Sequence, residues 1–155
     1  MKPAIANESH SMSCLIIPVG ESNLLLPNVT VAEIVPWRKI KKWDAAPQWC
    51  LGLLNWRGET VPVIRYEALN DTNATAKAGR CLLIMNRTQP GSAQHFYGLA
   101  IDGMPRLVRL GNDDIKNCSR ALKVADAAHL QIGLETATVP RLSYIEEQIG
   151  LLAEY

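Results

Sequence analysis

The chain has 155 residues, of which 48% are apolar and 20% are charged. This length suits one compact domain with a sizeable core. The 16 basic and 15 acidic residues leave a net charge of +1, which argues against a polyanion-binding protein and against intrinsic disorder. Aromatic residues are scarce, but all four tryptophans fall between residues 37 and 56.

The two ends and the cysteines indicate a cytoplasmic protein. Residues 1–12 are small and polar, without the apolar centre of a secretory signal, and we expect a flexible tail there and a single domain over 13–155. No apolar run approaches the roughly 18 residues of a membrane span. No CxxC pair occurs, so we expect structural thiols and a reducing compartment. The four cysteines are Cys14, Cys50, Cys81 and Cys118.

The first half of the chain is predicted to form hairpins. Apolar runs at 14–19 and 24–26 flank a polar turn, and 28–35 could form a short helix, although its β-branched residues disfavour one. The residue types at 37–43 alternate in part, as they would on the two sides of an extended segment. Runs at 50–56 and 59–65 flank Arg57 and Gly58, either as a tight type I′ hairpin or as a bulged loop.

The second half is predicted to contain more strands and one helix. Residues 69–79 and 86–94 are polar loops, residues 111–135 have no clear pattern, and the strands are expected at 81–85, 95–101, 104–110 and 136–142. Ser143 and Glu146 have the spacing of a capping box, followed by apolar residues at helical spacing. The chain is therefore predicted to be mainly β, with a C-terminal helix.

Motifs of the common enzyme classes are absent from the sequence. It contains no P-loop, no GxGxxG, no GxSxG elbow and no HExxH. Cys50 could be considered as a nucleophile, but no base is placed for it. We therefore expect no enzyme activity, no catalytic residue, no cofactor and no metal.

A basic segment at 37–43, WRKIKKW, places four cations between two tryptophans. Such interleaving is used by platforms that bind single-stranded nucleic acid, and this is our alternative function for the chain. A second interpretation is a strand edge with inward tryptophans and solvated lysines. A third is a protein-binding surface, which we favour over nucleic acid because the net charge is small.

Three motifs carry a resemblance to a known family. The stretch CLGLLNWRGETVPVI at 50–64 resembles the GxxNLRGxxVPVxDL motif of the CheW-like family. LLP at 25–27 with VAEI at 31–34 resembles the family's (I/L)P…VxEI element, and GLAIDG at 98–103 resembles its GLxVDxV strand. The resemblance covers residues 13–152.

The resemblance implies a fold and a role. The fold would be two interlocked five-stranded SH3-like barrels with a C-terminal helix. The role would be that of a non-enzymatic cytoplasmic adaptor in bacterial chemosensory signalling. Its partners would be the cytoplasmic tip of methyl-accepting chemoreceptors and the regulatory domain of a CheA-type histidine kinase, without nucleic acid or membrane insertion. The partner-binding residues implied by the motifs are Val31, Glu33, Gly52, Asn55, Trp56, Arg57 and Gly58.

The chain departs from the family motif at three positions. Trp56 stands where the family usually has Leu, Arg65 where it usually has Asp, and Leu51 where a basic residue is frequent. We interpret these changes as those of a divergent, auxiliary adaptor, such as those of type IV pilus (twitching) chemosensory systems.

Overall fold

The computed structural model describes residues 11–74, 76–89 and 95–152. The described chain is mainly β, as the alternating apolar pattern predicts. Its strands are β1 (Met12–Val19), β2 (Ser22–Pro27), β3 (Val31–Pro36), β4 (Cys50–Trp56), β5 (Glu59–Ile64), β6 (Cys81–Asn86), β7 (Phe96–Ile101), β8 (Arg106–Leu110), β9 (Ile115–Asn117), β10 (Asp126–Ile132) and β11 (Glu135–Pro140). Its α-helices are α1 (Tyr66–Asn70) and α2 (Leu142–Leu151).

The strands form two interlocked sheets. The first sheet has the order β8-β1-β2-β11-β10-β9, and the second has the order β3-β6-β7-β5-β4. All strands of the second sheet lie in sequence between β2 and β8, so the first sheet is completed only after the second. The predicted mainly β architecture with a C-terminal helix is confirmed, and the three-residue β9 gives the first sheet a sixth strand where five were expected.

Three apolar clusters hold the described residues together. One lies within the first sheet and is built from residues such as Ile16 and Leu25. A second lies within the second sheet and contains Trp56 and Val61. The largest joins the two sheets and includes Ile145 of α2, which is fully buried. Burial of each large apolar side chain stabilises the folded state by about 1.5–3 kcal/mol. This shared cluster is therefore the main reason for the interlocked arrangement.

The predicted helix over 28–35 is wrong. Only Asn28–Thr30 form a single 3-10 turn, and Val31–Pro36 form β3, which pairs antiparallel with β6. The β-branched residues of this stretch fit a half-buried strand better than a helix, and pairing with β6 decides the outcome. A bulge between Val31 and Glu33 marks the start of the strand.

Pro62 lies at a point where its strand has a neighbour on one side only. It pairs with Leu53 of β4, while pairing of β5 with β7 is confined to Val63 and Ile64. Leu53 directs both of its backbone groups to Lys41, so Pro62 opposite it faces away from β4 and its missing N–H costs no ladder hydrogen bond.

The predicted capping box at the C-terminal helix is also wrong. Helix α2 begins at Leu142, with Arg141 at the N-cap and no side-chain cap. Glu146 is buried and accepts hydrogen bonds from the backbone N–H groups of Thr88 and Gln89, at 2.9–3.1 Å. The amphipathic helix itself is confirmed, because Ile145, Ile149 and Leu152 are buried.

The unpatterned stretch 111–135 contains β9 and β10, whose residues alternate only weakly between apolar and polar. The predicted loop at 69–79 begins later, because 69–70 close α1. Most of the predicted tail and part of the predicted turn lie outside the described residues, at 1–10 and 90–94. Among the described helices, neither is long and apolar enough to cross a membrane.

Candidate partner-binding site

The turn between β4 and β5 is a tight two-residue hairpin. Trp56 pairs with Glu59 across it, and Arg57 and Gly58 have φ values of 49° and 78°. Two positive φ values are the pattern of a type I′ turn, which decides between the two predicted loop forms. Gly58 adopts this conformation without cost, whereas a left-handed Arg57 costs about 1–2 kcal/mol.

Arg57 is held in this conformation by two neighbours. Its Nη2 donates to Glu33 Oε1 at 2.7 Å, and its guanidinium lies 5.0 Å from the centre of the Trp56 ring. Trp56 Nε1 donates to the same Glu33 oxygen at 3.3 Å. We call these three residues, Glu33, Trp56 and Arg57, the tip cluster.

The tip cluster joins the two opposite edges of the second sheet. Glu33 lies on β3 and Trp56 ends β4, and these strands stand at the two ends of the strand order. Trp56 is 4% exposed and meets Phe96 edge to face, with ring centres 4.8 Å apart. Phe96 was not predicted as part of the site, since nothing in the sequence shows that it faces Trp56.

The tip cluster presents a cation with restricted movement. The side chain of Arg57 is 70% exposed, while that of Glu33 is 32% exposed. Arg57 therefore offers solvent-facing guanidinium donors from a rigid turn, at a smaller entropic cost than a free arginine. Such a group is suited to carboxylates or carbonyl groups of a protein partner.

Gly52 lies buried beneath the basic segment. Its φ is 144°, and a Cβ placed there would lie 2.1 Å from the carbonyl oxygen of Lys41. Lys41 and Leu53 exchange both backbone hydrogen bonds at 2.8 Å, so the basic segment lies alongside β4 at this point. The close approach that this glycine permits is therefore made by the chain's own backbone.

The other predicted site residues lie around the tip cluster on the same two strands and turn. Asn55 is exposed on β4 next to Trp56, and Gly58 is exposed with open space around its Cα. Val31 is half-buried at the start of β3 and packs against the central apolar cluster. The fold thus brings the two separated motifs, 31–34 and 50–64, to one end of the second sheet.

Arg65 is the second departure from the family motif, and its charge is neutralised by a partner within the chain. It is 5% exposed and forms a bidentate pair with Asp102, with N–O distances of 2.8 and 2.7 Å. It also donates to the carbonyl groups of Lys77, Ala78 and Ala100. The bidentate bond to Arg65 outweighs partial burial and lowers the pKa of Asp102.

Cys50 and His129 are both buried in the fold. Burial raises the pKa of the Cys50 thiol, so the thiolate is disfavoured. His129 is buried between Asp126, at 3.3 Å, and Thr138, at 2.8 Å. Among the described residues, no three His, Cys, Asp or Glu side chains are grouped to hold a metal ion.

The comparisons with known proteins confirm the predicted CheW-like fold. A family model for the CheW-like domain matches residues 13–132. The structure is similar to the crystal structure of the scaffolding protein TtCheW from Thermoanaerobacter tengcongensis, with a TM-score of 0.68 and 16% identity. That match covers 84% of this chain and 89% of the other. No curated protein matches the sequence. The family match, which spans both the hairpin motif and β3, shows that the chain belongs to the CheW-like domain family.

Proposed function

We propose that the protein is a non-enzymatic adaptor that couples methyl-accepting chemoreceptors to a CheA-type histidine kinase in the cytoplasm. Membership of the CheW-like family supports a role as a chemotaxis scaffold. Members of such a family act through surface complementarity, so the proposal depends on a surface able to bind two proteins.

The tip cluster is the observation that carries the proposal. Arg57 combines high exposure with a fixed position, and it lies over a tryptophan that is itself anchored in a core. Arginine and tryptophan are enriched among the residues that dominate protein interfaces. Rigid presentation reduces the ordering cost of binding.

The neighbouring residues provide the rest of the proposed binding surface. Asn55 and Gly58 are exposed beside Arg57. Val31 anchors β3, which carries Glu33, and Gly52 lies on β4, which leads into the turn. We propose that a receptor helix bundle contacts Arg57 and Asn55 directly. Gly52 would act by holding the segment 37–43 in place rather than by touching the partner.

We further propose that the adaptor serves a type IV pilus pathway rather than flagellar chemotaxis. The support is the divergence of the binding motif, above all Trp56 in place of the usual leucine. Deletion of the gene should impair twitching and leave swimming unchanged. Loss of swimming with normal twitching would reverse this assignment.

A co-purification experiment tests the adaptor function. The tagged protein is mixed with a purified receptor tip and a purified kinase regulatory domain, separately and together, and retention is measured. The proposal expects each partner to be retained alone and the receptor tip to be recovered with the kinase domain when all three are present. Failure to retain either partner would contradict the adaptor role.

A further inference from the structure

A groove lies beside β4 and is formed mainly by the segment that precedes it. Its volume is about 730 Å³. Its wall includes the side chains of Trp37, Ile40, Trp43 and Leu51, with Lys39 and Lys42 at its rim. The groove shares no residue with the tip cluster, so variants can distinguish the two.

The apolar floor of the groove is anchored from below. Trp37, Ile40 and Leu51 pack against the cluster within the second sheet, whereas Trp43 packs against the central cluster. All four side chains remain half-buried, so part of each is open to solvent. A floor fixed in two cores is preformed, which is a general feature of binding sites.

The segment that forms the groove is rich in cations. Arg38, Lys39, Lys41 and Lys42 are all exposed. Lys39 and Lys42 line the groove, together with Asp44, whose carboxylate lies 3.8 Å from Lys42 Nζ. The whole chain has a net charge of only +1, so the remainder is net negative. Four of the sixteen basic residues are therefore concentrated in five consecutive positions of the segment that forms this groove.

We propose that the groove binds an acidic peptide segment of a partner protein, with one large apolar side chain inserted between Trp37 and Leu51. Carboxylates of the segment meet the lysines at the rim, which gives charge complementarity around an apolar centre. This interaction goes beyond the proposed receptor and kinase coupling, and it does not depend on it.

The geometry favours a peptide over single-stranded nucleic acid. Base stacking requires aromatic faces open to solvent, whereas both indoles are half-buried against core side chains. Only Lys39 and Lys42 of the four cations line the concave apolar site, so the charge at the groove is local and does not follow an extended track. A single inserted side chain fits that shape better than a row of stacked bases.

Fluorescence anisotropy with the full-length protein tests the proposal. The probe is a labelled synthetic peptide of glutamate and aspartate with two leucines four residues apart. A second peptide replaces both leucines with serine, and a labelled oligo-dT strand tests nucleic acid. The groove variant is Lys39→Glu with Lys42→Glu, and the matched control is Arg109→Glu with Lys116→Glu, two exposed cations of the first sheet.

The leucine peptide is expected to bind the wild type and the control equally, and the groove variant at least about tenfold more weakly. The serine peptide should also bind about tenfold more weakly, because the apolar anchor is lost. No binding of the leucine peptide, or equal losses in both charge variants, would overturn the proposal. Tighter binding of oligo-dT than of the peptide would assign the groove to nucleic acid instead. Because the tip cluster is intact in every variant, a negative result in this experiment does not contradict the proposed adaptor function.

Discussion

Glu33 Oε1 accepts hydrogen bonds from both Arg57, at 2.7 Å, and Trp56, at 3.3 Å. One carboxylate oxygen thus links β3 to the β4–β5 turn and fixes the only strongly exposed member of the tip cluster. Glu33→Gln should weaken receptor binding about threefold to tenfold, because Arg57 is no longer held by a charge. The free energy of unfolding should change by at most about 1 kcal/mol, as for other partly exposed ion pairs. Binding that stays unchanged in a calorimetric titration would show that Glu33 does not position Arg57.

Trp56 has two separable roles in stability. Trp56→Phe keeps an aromatic ring beside Phe96 but removes the indole N–H donor to Glu33, and should cost about 1 kcal/mol. Trp56→Leu, which restores the usual family residue, also removes the ring contact and leaves a cavity, and should cost about 2–4 kcal/mol. Urea unfolding measures both. A leucine variant as stable as the phenylalanine variant would show that the ring contact contributes little.

Gly52 should tolerate no side chain. Gly52→Ala places a Cβ 2.1 Å from the Lys41 oxygen at a φ of 144°, and should cost about 3 kcal/mol or more. Gly58→Ala is the matched control for backbone strain, because its φ is 78° but no atom lies within 4 Å, and it should cost about 1 kcal/mol. Equal costs for the two variants in thermal unfolding would mean that the contact with Lys41 is not the cause.

The Arg65–Asp102 pair should make stability depend on pH in acid. The pKa of Asp102 is lowered from 3.8 in the folded chain by its bonds to Arg65, so the unfolded chain binds the proton more tightly. The stabilisation is complete above pH 3.8 and is lost as the pH falls below it, through the lower folded value. Asp102→Asn should be less stable at neutral pH and should lose less stability on acidification. Parallel pH profiles for wild type and variant would exclude the pair as the source.

Glu146 should contribute much to stability and Ser143 little, although their spacing suggests a capping box in which both matter. Ser143→Ala should change the free energy of unfolding by less than about 0.5 kcal/mol, because no side-chain cap is formed. Glu146→Ala should cost about 2–4 kcal/mol, because the N–H groups of Thr88 and Gln89 lose their acceptor and the largely buried Arg87 loses the carboxylate 3.9 Å away. A large effect of Ser143→Ala would restore the capping box.

The sequence predicts the strands with strong alternation or clear turn residues and misses the weaker ones. The hairpin at Arg57 is predicted because Gly58 and the flanking apolar runs are local signals. Strands β9 and β10 are missed because their half-exposed residues show no clear period. The strand at Val31–Pro36 is misassigned because its pairing partner β6 lies about fifty residues away, beyond the reach of local propensity.

The sequence predicts which residues form the candidate site, but it does not predict which of them are in contact. The family motifs name Glu33, Trp56 and Arg57, yet only the closure of the second sheet shows that one oxygen of Glu33 joins the other two. Phe96 is missed for the same reason. Arg65 looks like a change in the binding surface, whereas its partner Asp102 shows that it is an internal compensation.

The most direct test of the adaptor function is a titration of a labelled chemoreceptor tip with wild type, Arg57→Ala and Arg106→Ala. Arg106 is the matched control, since it is an exposed arginine paired with Glu135 on the first sheet. A dominant interface arginine contributes about 2 kcal/mol, so Arg57→Ala should raise the Kd about 30-fold while Arg106→Ala leaves it unchanged. A Kd for Arg57→Ala equal to that of the wild type would contradict the assignment of the tip cluster as the receptor-binding site.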